Sequence, residues 1–545
     1  MPSKHPIAYF CAEYGLDARL PIYAGGLGVL AGDTLKAAAD LNLDLVAVGL
    51  LYRGKQAHQT IDQDGKVVEY DRNFDTATVG LEHVYLKGEL LFVKVFLKDH
   101  FVWLRVWQKK IGRTVTLYLL DTNTDQNQEQ DRDINDSLYF GDLEKQLKQQ
   151  ILLGVGGVKL LAKLGLRPKL YHINEGRPSF MYWGLLRFLM QTQNLDFYQA
   201  QQKAKNLLVY TNHTLVPAGN YHVPLEMLQS YAHYYAQKMD ISLDELLAAG
   251  LGNPDRGFSM TDFALKISCR QNGVSQLHSR LSQQIWPDYK WENITNGVHL
   301  DTWQDSRFKQ AGLGQAQLWQ IHQENKQNLA KFVKERTGFG FDSKRLVIGW
   351  ARRLAGYKRL EAVFADVNRL EKILKQADKP VQLLISGKAH QSDHAAKQRI
   401  YDLLKIFSYQ LSGYALFIPD YDLDVARYLV RGTDIWLNTP ERGQEACGTS
   451  GMKAISNGVL QLTTRDGWTD EVDWTGVGWE LNSEDVSNHL YHLLETEIVP
   501  MFYDFNHQGF NPDWVHMMQK SIRLADQFSA KRMVSEYQKK LYQQL

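Results

Sequence analysis

Apolar and polar positions along the chain follow two periods. Short apolar runs at 7–11, 45–50, 170–174, 207–211, 345–350, 381–386, 414–419 and 434–438 read as buried strands. Stretches of helical period lie between them: one leads from a glycine-rich loop at 23–28 to residue 39, and others cover 144–164, 244–249, 260–281 and 318–335. Strand, glycine and helix alternate repeatedly, the signature of parallel α/β sheets whose ligand groups gather at strand ends. From 68 to 120 the period falls to two, and the runs 91–97 and 114–120 predict strands of a β-rich insertion. The polar run 121–133 predicts a solvated loop, and 291–298 a strand and turn that closes a first domain. A final amphipathic stretch at 521–545 is expected to be helical and to cross back to that domain.

The chain's 545 residues allow two or three domains, and 44% hydrophobic with 11% aromatic content indicates large cores. A formal charge of +1 gives no global pull toward nucleic acid or an acidic membrane, so any anion site must be local. Cys11, Cys269 and Cys447 are far apart and odd in number, which argues against a disulfide framework or a cysteine zinc site and points to a reducing cytoplasm. No targeting segment is visible, and the longest apolar run, 151–166, holds four glycines and two lysines and reads as a buried helix.

Candidate chemistry concentrates in E-A-C-G-T-S-G-M-K-A-I-S-N-G-V-L-Q-L-T-T-R-D-G-W, residues 445–468. A carboxylate, a glycine turn and a lysine follow in that order. Backbone N–H groups of Cys447, Gly448 and Thr449 at a helix start would suit a phosphate. Lys453, one turn later among Met452, Ala454 and Ile455, would be partly desolvated, which favours Schiff-base chemistry with a carbonyl cofactor such as pyridoxal phosphate. An ordinary helix start with a surface lysine fits the same letters.

Upstream, Arg352, Arg353, Lys358 and Arg359 crowd directly after a buried strand, where charges are costly unless an anion compensates them. A phosphate clamp is therefore preferred to a solvated basic face. His213 ends the strand at 207–211, a ligand position in an α/β sheet or a structural histidine. Gly25 and Gly26 allow close approach to a phosphate or sugar, and equally a plain turn.

Taken in order, L-P-I-Y-A-G-G-L-G-V-L-A-G-D, G-L-L-Y-R, Y-H-I-N-E-G, T-N-H-T-L-V-P-A-G, N-I-T-N-G-V-H, A-R-R-L-A-G-Y-K-R, I-S-G-K-A-H and E-A-C-G-T-S-G-M-K carry a resemblance. The chain resembles the α-glucan phosphorylases (glycogen, starch and maltodextrin phosphorylases), in particular their short bacterial and archaeal branch, from residue 7 to about 478. The resemblance implies an α/β fold of two Rossmann-like domains facing a deep cleft, the GT-B type. Residues 1–297 would form the glucan and phosphate side, 298–520 the pyridoxal phosphate side, and 521–545 the returning helix.

It also implies a glycosyltransferase that cleaves the terminal α-1,4 bond of a glucan or maltodextrin with orthophosphate, reversibly and with retention, giving glucose 1-phosphate. Pyridoxal 5'-phosphate would be held through Lys453, and its phosphate rather than its ring would exchange the proton. Arg352, Gly448 and Thr449 match positions holding the cofactor phosphate, with Tyr421 near the cofactor pocket. Arg353, Lys358, Gly25 and Gly26 match the substrate phosphate site, and His213, Asn296 and Glu445 the glucosyl contacts. Glu175 and Arg177 fall toward the acceptor side; short relatives usually carry histidine where Arg177 stands, and serine where Cys447 stands. Six residues precede Ile7, so control by N-terminal phosphorylation or nucleotides is not expected. The family is commonly dimeric or larger. A nucleotide-sugar-dependent glucan synthase shares the fold but has no use for Lys453, and a non-catalytic glucan-binding homologue would not need every polar position kept.

Overall fold

The computed structural model describes residues 4–543 apart from 56, 140, 216–219, 252–256 and 390–392, so the end of the T-N-H-T-L-V-P-A-G block and His390 of I-S-G-K-A-H lie outside the described residues. It is a mixed α/β structure built on two sheets. The first contains β1 (Ile7–Phe10), β2 (Leu45–Leu50), β3 (Glu82–His83), β4 (Phe92–Leu97), β5 (His100–Ile111), β6 (Val115–Asp121), β7 (Leu170–Asn174), β8 (Leu208–Thr211), β9 (Arg270–Gly273) and β10 (Trp291–Asn293). Their order is β10-β9-β8-β7-β1-β2-β6-β5-β3, with β4 beside β5. The strands from β10 to β6 are parallel; β5 turns the sheet antiparallel.

Burial on both faces explains the uninterrupted apolar runs of β1, β2 and β6, because helices cover a parallel sheet on either side. α1 (Gly26–Asp40) and α2 (Leu143–Lys163) supply much of that cover and bury Leu30, Leu35, Leu147 and Ile151. The strands expected as a β-rich insertion are continuous with the main sheet: β6 lies parallel to β2, with Val115 opposite Leu45. One expected helix is absent. Residues 260–281 form two helices, Met260–Ile267 and Gln276–Ile285, with β9 between them. This strand reads R-Q-N-G, yet Gln271 donates to the Lys290 carbonyl at 2.6 Å and Asn272 accepts from the Thr211 hydroxyl at 2.6 Å. Those bonds let amide side chains sit inside a sheet.

The second sheet contains β11 (Leu346–Ala351), β12 (Val381–Ser386), β13 (Ala415–Ile418), β14 (Ile435–Asn438), β15 (Leu460–Thr463) and β16 (Gly478–Glu480). Its order is β13-β12-β11-β14-β15-β16, all parallel. The chain moves outward from β11 to β13, then restarts beside β11 with β14. Connections therefore diverge between the carboxyl ends of β11 and β14, where doubly wound sheets open a crevice. β1 and β7 form the corresponding point of the first sheet.

α3 (Ser450–Ile455) packs over β14 and β15. The stretch expected as one terminal helix breaks at Ala525–Phe528, and Ser529 caps α4 (Ala530–Lys540). Met533, Val534 and Tyr537 of α4 belong to the first sheet's core, and the Tyr542 hydroxyl lies 2.8 Å from His172 Nδ1. Among the described residues no helix is long and apolar enough to cross a membrane.

Candidate active site

Arg352 leaves the carboxyl end of β11 at the second sheet's divergence point. Its guanidinium donates to the Asn438 side chain at the end of β14 and to the Leu437 carbonyl at 3.1 Å. The side chain is buried, its Nε has no partner, and no carboxylate pairs with it among the described residues. Burial pushes its pKa down to about 10. A buried cation without a counter-anion is unfavourable on its own, so this group is set to meet one. Tyr421 stands near it, its phenol raised to about 12 by burial against the guanidinium's opposing pull.

Lys453 projects from α3 and is buried, 5% exposed. Its Nζ lies 4.0 Å from the centre of the Trp303 ring, and burial lowers the amine to about 8 against the opposing pull of Asp33. Asp33, inside α1, accepts from Trp303 Nε1 at 2.8 Å while its other oxygen has no partner. Desolvation thus brings the titration of this amine closer to neutral pH than that of an exposed lysine. The lysine expected to sit on a helix start is not a surface residue. α3 is only six residues long, so its dipole is weak and the preceding turn, with Gly448 at φ +81°, does the presenting.

Arg353 is exposed, and Lys358 is buried. Burial and the neighbouring Arg352 and Arg353 hold Lys358 well below the usual lysine value, while its ammonium meets the Glu445 carboxylate. The structure therefore joins a residue expected at phosphate to one expected at sugar. Asp466 organises this loop by accepting the amides of Gly443 at 2.9 Å and Glu445 at 2.8 Å, and burial raises it to about 7. Arg359 forms no salt bridge among the described residues and donates to the carbonyls of Thr439, Pro440 and Ser483.

On the first sheet, the loop after β1 carries Glu13, which accepts the amides of Ala24 at 2.8 Å and Gly25 at 3.3 Å and the Tyr139 hydroxyl. A methyl group added at Gly25 or Gly26 would touch nothing, so packing within the chain does not demand glycine there. Beyond β7, Glu175 holds φ at +67° and accepts from Gly176 N, Tyr210 OH, His213 N and the Thr214 hydroxyl. It anchors the His213 turn. The His213 ring meets Asn174 Oδ1 at 2.8 Å through Nε2, and burial lowers it to about 3, so the imidazole is neutral. Asn296 is buried with its side-chain oxygen unpartnered. Arg177 stacks on Tyr139 at 4.5 Å and Tyr221 at 5.6 Å.

Two groups result. Arg352, Arg353, Lys358, Tyr421 and Glu445 cluster around the second divergence point, with Lys453 buried beside Trp303 and α1; Glu175 and His213 surround the first. Asp33, Trp303, Asp466 and Glu13 were not singled out from the sequence. A charged residue inside an apolar helix register was the available signal for Asp33.

A family model described as carbohydrate phosphorylase matches residues 304–480. The chain is 35% identical to a maltodextrin phosphorylase of Thermococcus litoralis, covering 99% of this chain and 70% of that protein. A glycogen phosphorylase of Aquifex aeolicus is 34% identical, with 99% and 87% covered. An uncharacterised protein of Methanocaldococcus jannaschii is 32% identical over 98% of this chain and 99% of its own length.

Proposed function

The chain belongs to the carbohydrate phosphorylase family, and from that premise we propose that it is an α-1,4-glucan phosphorylase, a glycosyltransferase releasing glucose 1-phosphate from a glucan or maltodextrin with orthophosphate. Two Rossmann-like units, 1–297 and 298–520, face each other across a deep cleft in this reading, with 521–545 returning to the first. In this reading it works in the cytoplasm, without nucleic acid or membrane.

The donor set fits pyridoxal phosphate: a buried amine at Lys453 and a buried, uncompensated guanidinium at Arg352 whose Nε is free. Lys453 would hold the cofactor's aldehyde and Arg352 with the Gly448–Thr449 turn its phosphate, with Tyr421 bordering the pocket; bound there, the group would supply a phosphate able to exchange a proton. Arg353, Lys358, Gly25 and Gly26 hold orthophosphate. Two phosphates side by side repel strongly at low dielectric, which is why several fixed cations are needed. Their crowding would also raise phosphate proton affinity.

His213, Asn296 and Glu445 contact the glucosyl unit. A neutral His213 places no charge against a developing oxocarbenium ion, and its main-chain carbonyl can face that charge. Lys358 then bridges phosphate and sugar through Glu445. Glu175 and Arg177 shape the acceptor side. The single observation that carries the reading is Arg352, a buried cation with no carboxylate partner among the described residues. Incubation with orthophosphate and maltooligosaccharides, with and without pyridoxal phosphate, should release glucose 1-phosphate only when the cofactor is present. Release without it, or none at all, would refute the proposal.

A further inference from the structure

An open pocket of about 110 Å³ borders the candidate active site, and every charged side chain among its described lining residues is a cation. Lys55 and Arg72 come from the first half of the chain, Arg353 and Lys388 from the second. Their counter-ions stand behind the wall: Asp420 takes Lys388 at 2.6 Å together with Arg72 and Arg336, and Asp136 takes Lys55 at 2.7 Å. Arg353 has no carboxylate partner among the described residues. Ser137 adds a second, independent sign of a ligand. Its hydroxyl is buried, 5% exposed, lines the pocket and has no hydrogen-bond partner.

The outer wall is a hairpin, His58–Ile61 with Val67–Tyr70, that reaches from the first half to the second. Gln59 Nε2 donates to the Ala389 carbonyl at 2.7 Å, Ala389 N donates to Gln59 Oε1 at 3.2 Å, and Lys388 Nζ donates to the Ala57 carbonyl at 3.0 Å. A neutral sugar needs acceptors for its hydroxyl protons. Among the described lining residues there is no carboxylate, and the amide side chain of Gln59 is already committed to Ala389. Cations in a walled pocket instead concentrate small anions. Ala24 of the glycine loop and Arg353 lie on its lining, so it opens toward the proposed orthophosphate position.

We propose that this pocket is an entry vestibule for small dianions, through which orthophosphate and glucose 1-phosphate reach and leave the reaction site by a path separate from the glucan. The identity of the anions rests on the phosphorylase reading; the anion pocket itself does not. Lys388, Arg72 and Ser137 are positioning residues that guide the anion.

The test measures steady-state KM for orthophosphate and for a maltooligosaccharide in the cofactor-loaded wild type, Lys388→Ala and Lys388→Arg. Calorimetric titration with inorganic phosphate runs beside it. In Lys388→Ala the KM for orthophosphate should rise roughly fivefold or more, and the glucan KM should move less than about twofold. Lys388→Arg should recover most of the loss, and added salt should weaken phosphate use more steeply in wild type than in Lys388→Ala. An unchanged phosphate KM, or equal rises in both constants, would overturn the vestibule while leaving the phosphorylase reading intact. If wild type releases no glucose 1-phosphate, that reading fails instead. The calorimetry then decides the pocket: weaker phosphate binding in Lys388→Ala supports it, equal binding overturns it. Should Lys388→Ala not fold, Lys55→Gln and Ser137→Ala carry the same comparison.

Discussion

The two divergence points share a topology and differ in how they settle their charges. Around the first, Glu13 and Glu175 are hydrogen-bonded by the chain's own amides and hydroxyls, and burial holds His172 and His213 neutral. In the second, Arg352 and Lys453 are buried with their cationic forms disfavoured and no carboxylate bonded to them. Burying an ion is costly whichever its sign. The first point meets that cost internally; at the second, Lys358 is met by Glu445, while Arg352 has no carboxylate partner among the described residues.

Removing the amine should break the contrast most severely. Lys453→Ala is expected to lose both the bound chromophore and phosphorolysis, read by absorbance and by glucose 1-phosphate release. Arg352→Met should weaken cofactor retention and lower kcat by roughly 10²-fold, and Arg352→Lys should recover only part of this because a point charge cannot reproduce the guanidinium fork. Next in size is Glu175→Gln. Losing a charged acceptor shared by four donors should cost about 1–3 kcal/mol, seen as a lower Tm, with a fall in kcat as the His213 turn loosens.

Acid separates the halves more gently. Burial holds His172, His213 and His278 at about 3, whereas unfolded histidines titrate near about 6.5. Between those values the unfolded chain binds more protons, so stability rises with pH and is lost as pH falls below about 6.5. Asp466, raised to about 7, acts the other way: the folded chain holds its proton from about 4 upward, and its contribution fades as pH rises to 7. Three groups outweigh one, so Tm should drop between pH 7 and 5, and Asp466→Asn should steepen that drop. Arg177→His should matter least. It removes two ring contacts, worth about 0.5–1 kcal/mol each at exposed sites, and should shift maltooligosaccharide KM about threefold at most.

Elements whose periodicity agrees with their burial were legible from the chain. β2 covers the whole of its apolar run, and Lys453 reads as a buried amine because apolar residues flank it. β9 was not legible, since R-Q-N-G offers no apolar signal and its stability comes from partners on β8 and beyond. Arg359 misled for a similar reason. Its neighbours in sequence suggested an anion, and three carbonyls distant in sequence claim it instead. The Lys358–Glu445 contact and the Asp466 anchor are tertiary facts between segments that no local spacing encodes.

α4 completes the first sheet's core with residues synthesised after the whole second sheet has emerged. On the ribosome, the earlier half must wait with Tyr9 and His172 uncovered until Tyr537 and Tyr542 arrive, so its final consolidation is postponed until α4 has emerged. Expressing 1–297 by itself would leave that surface permanently bare and prone to aggregation.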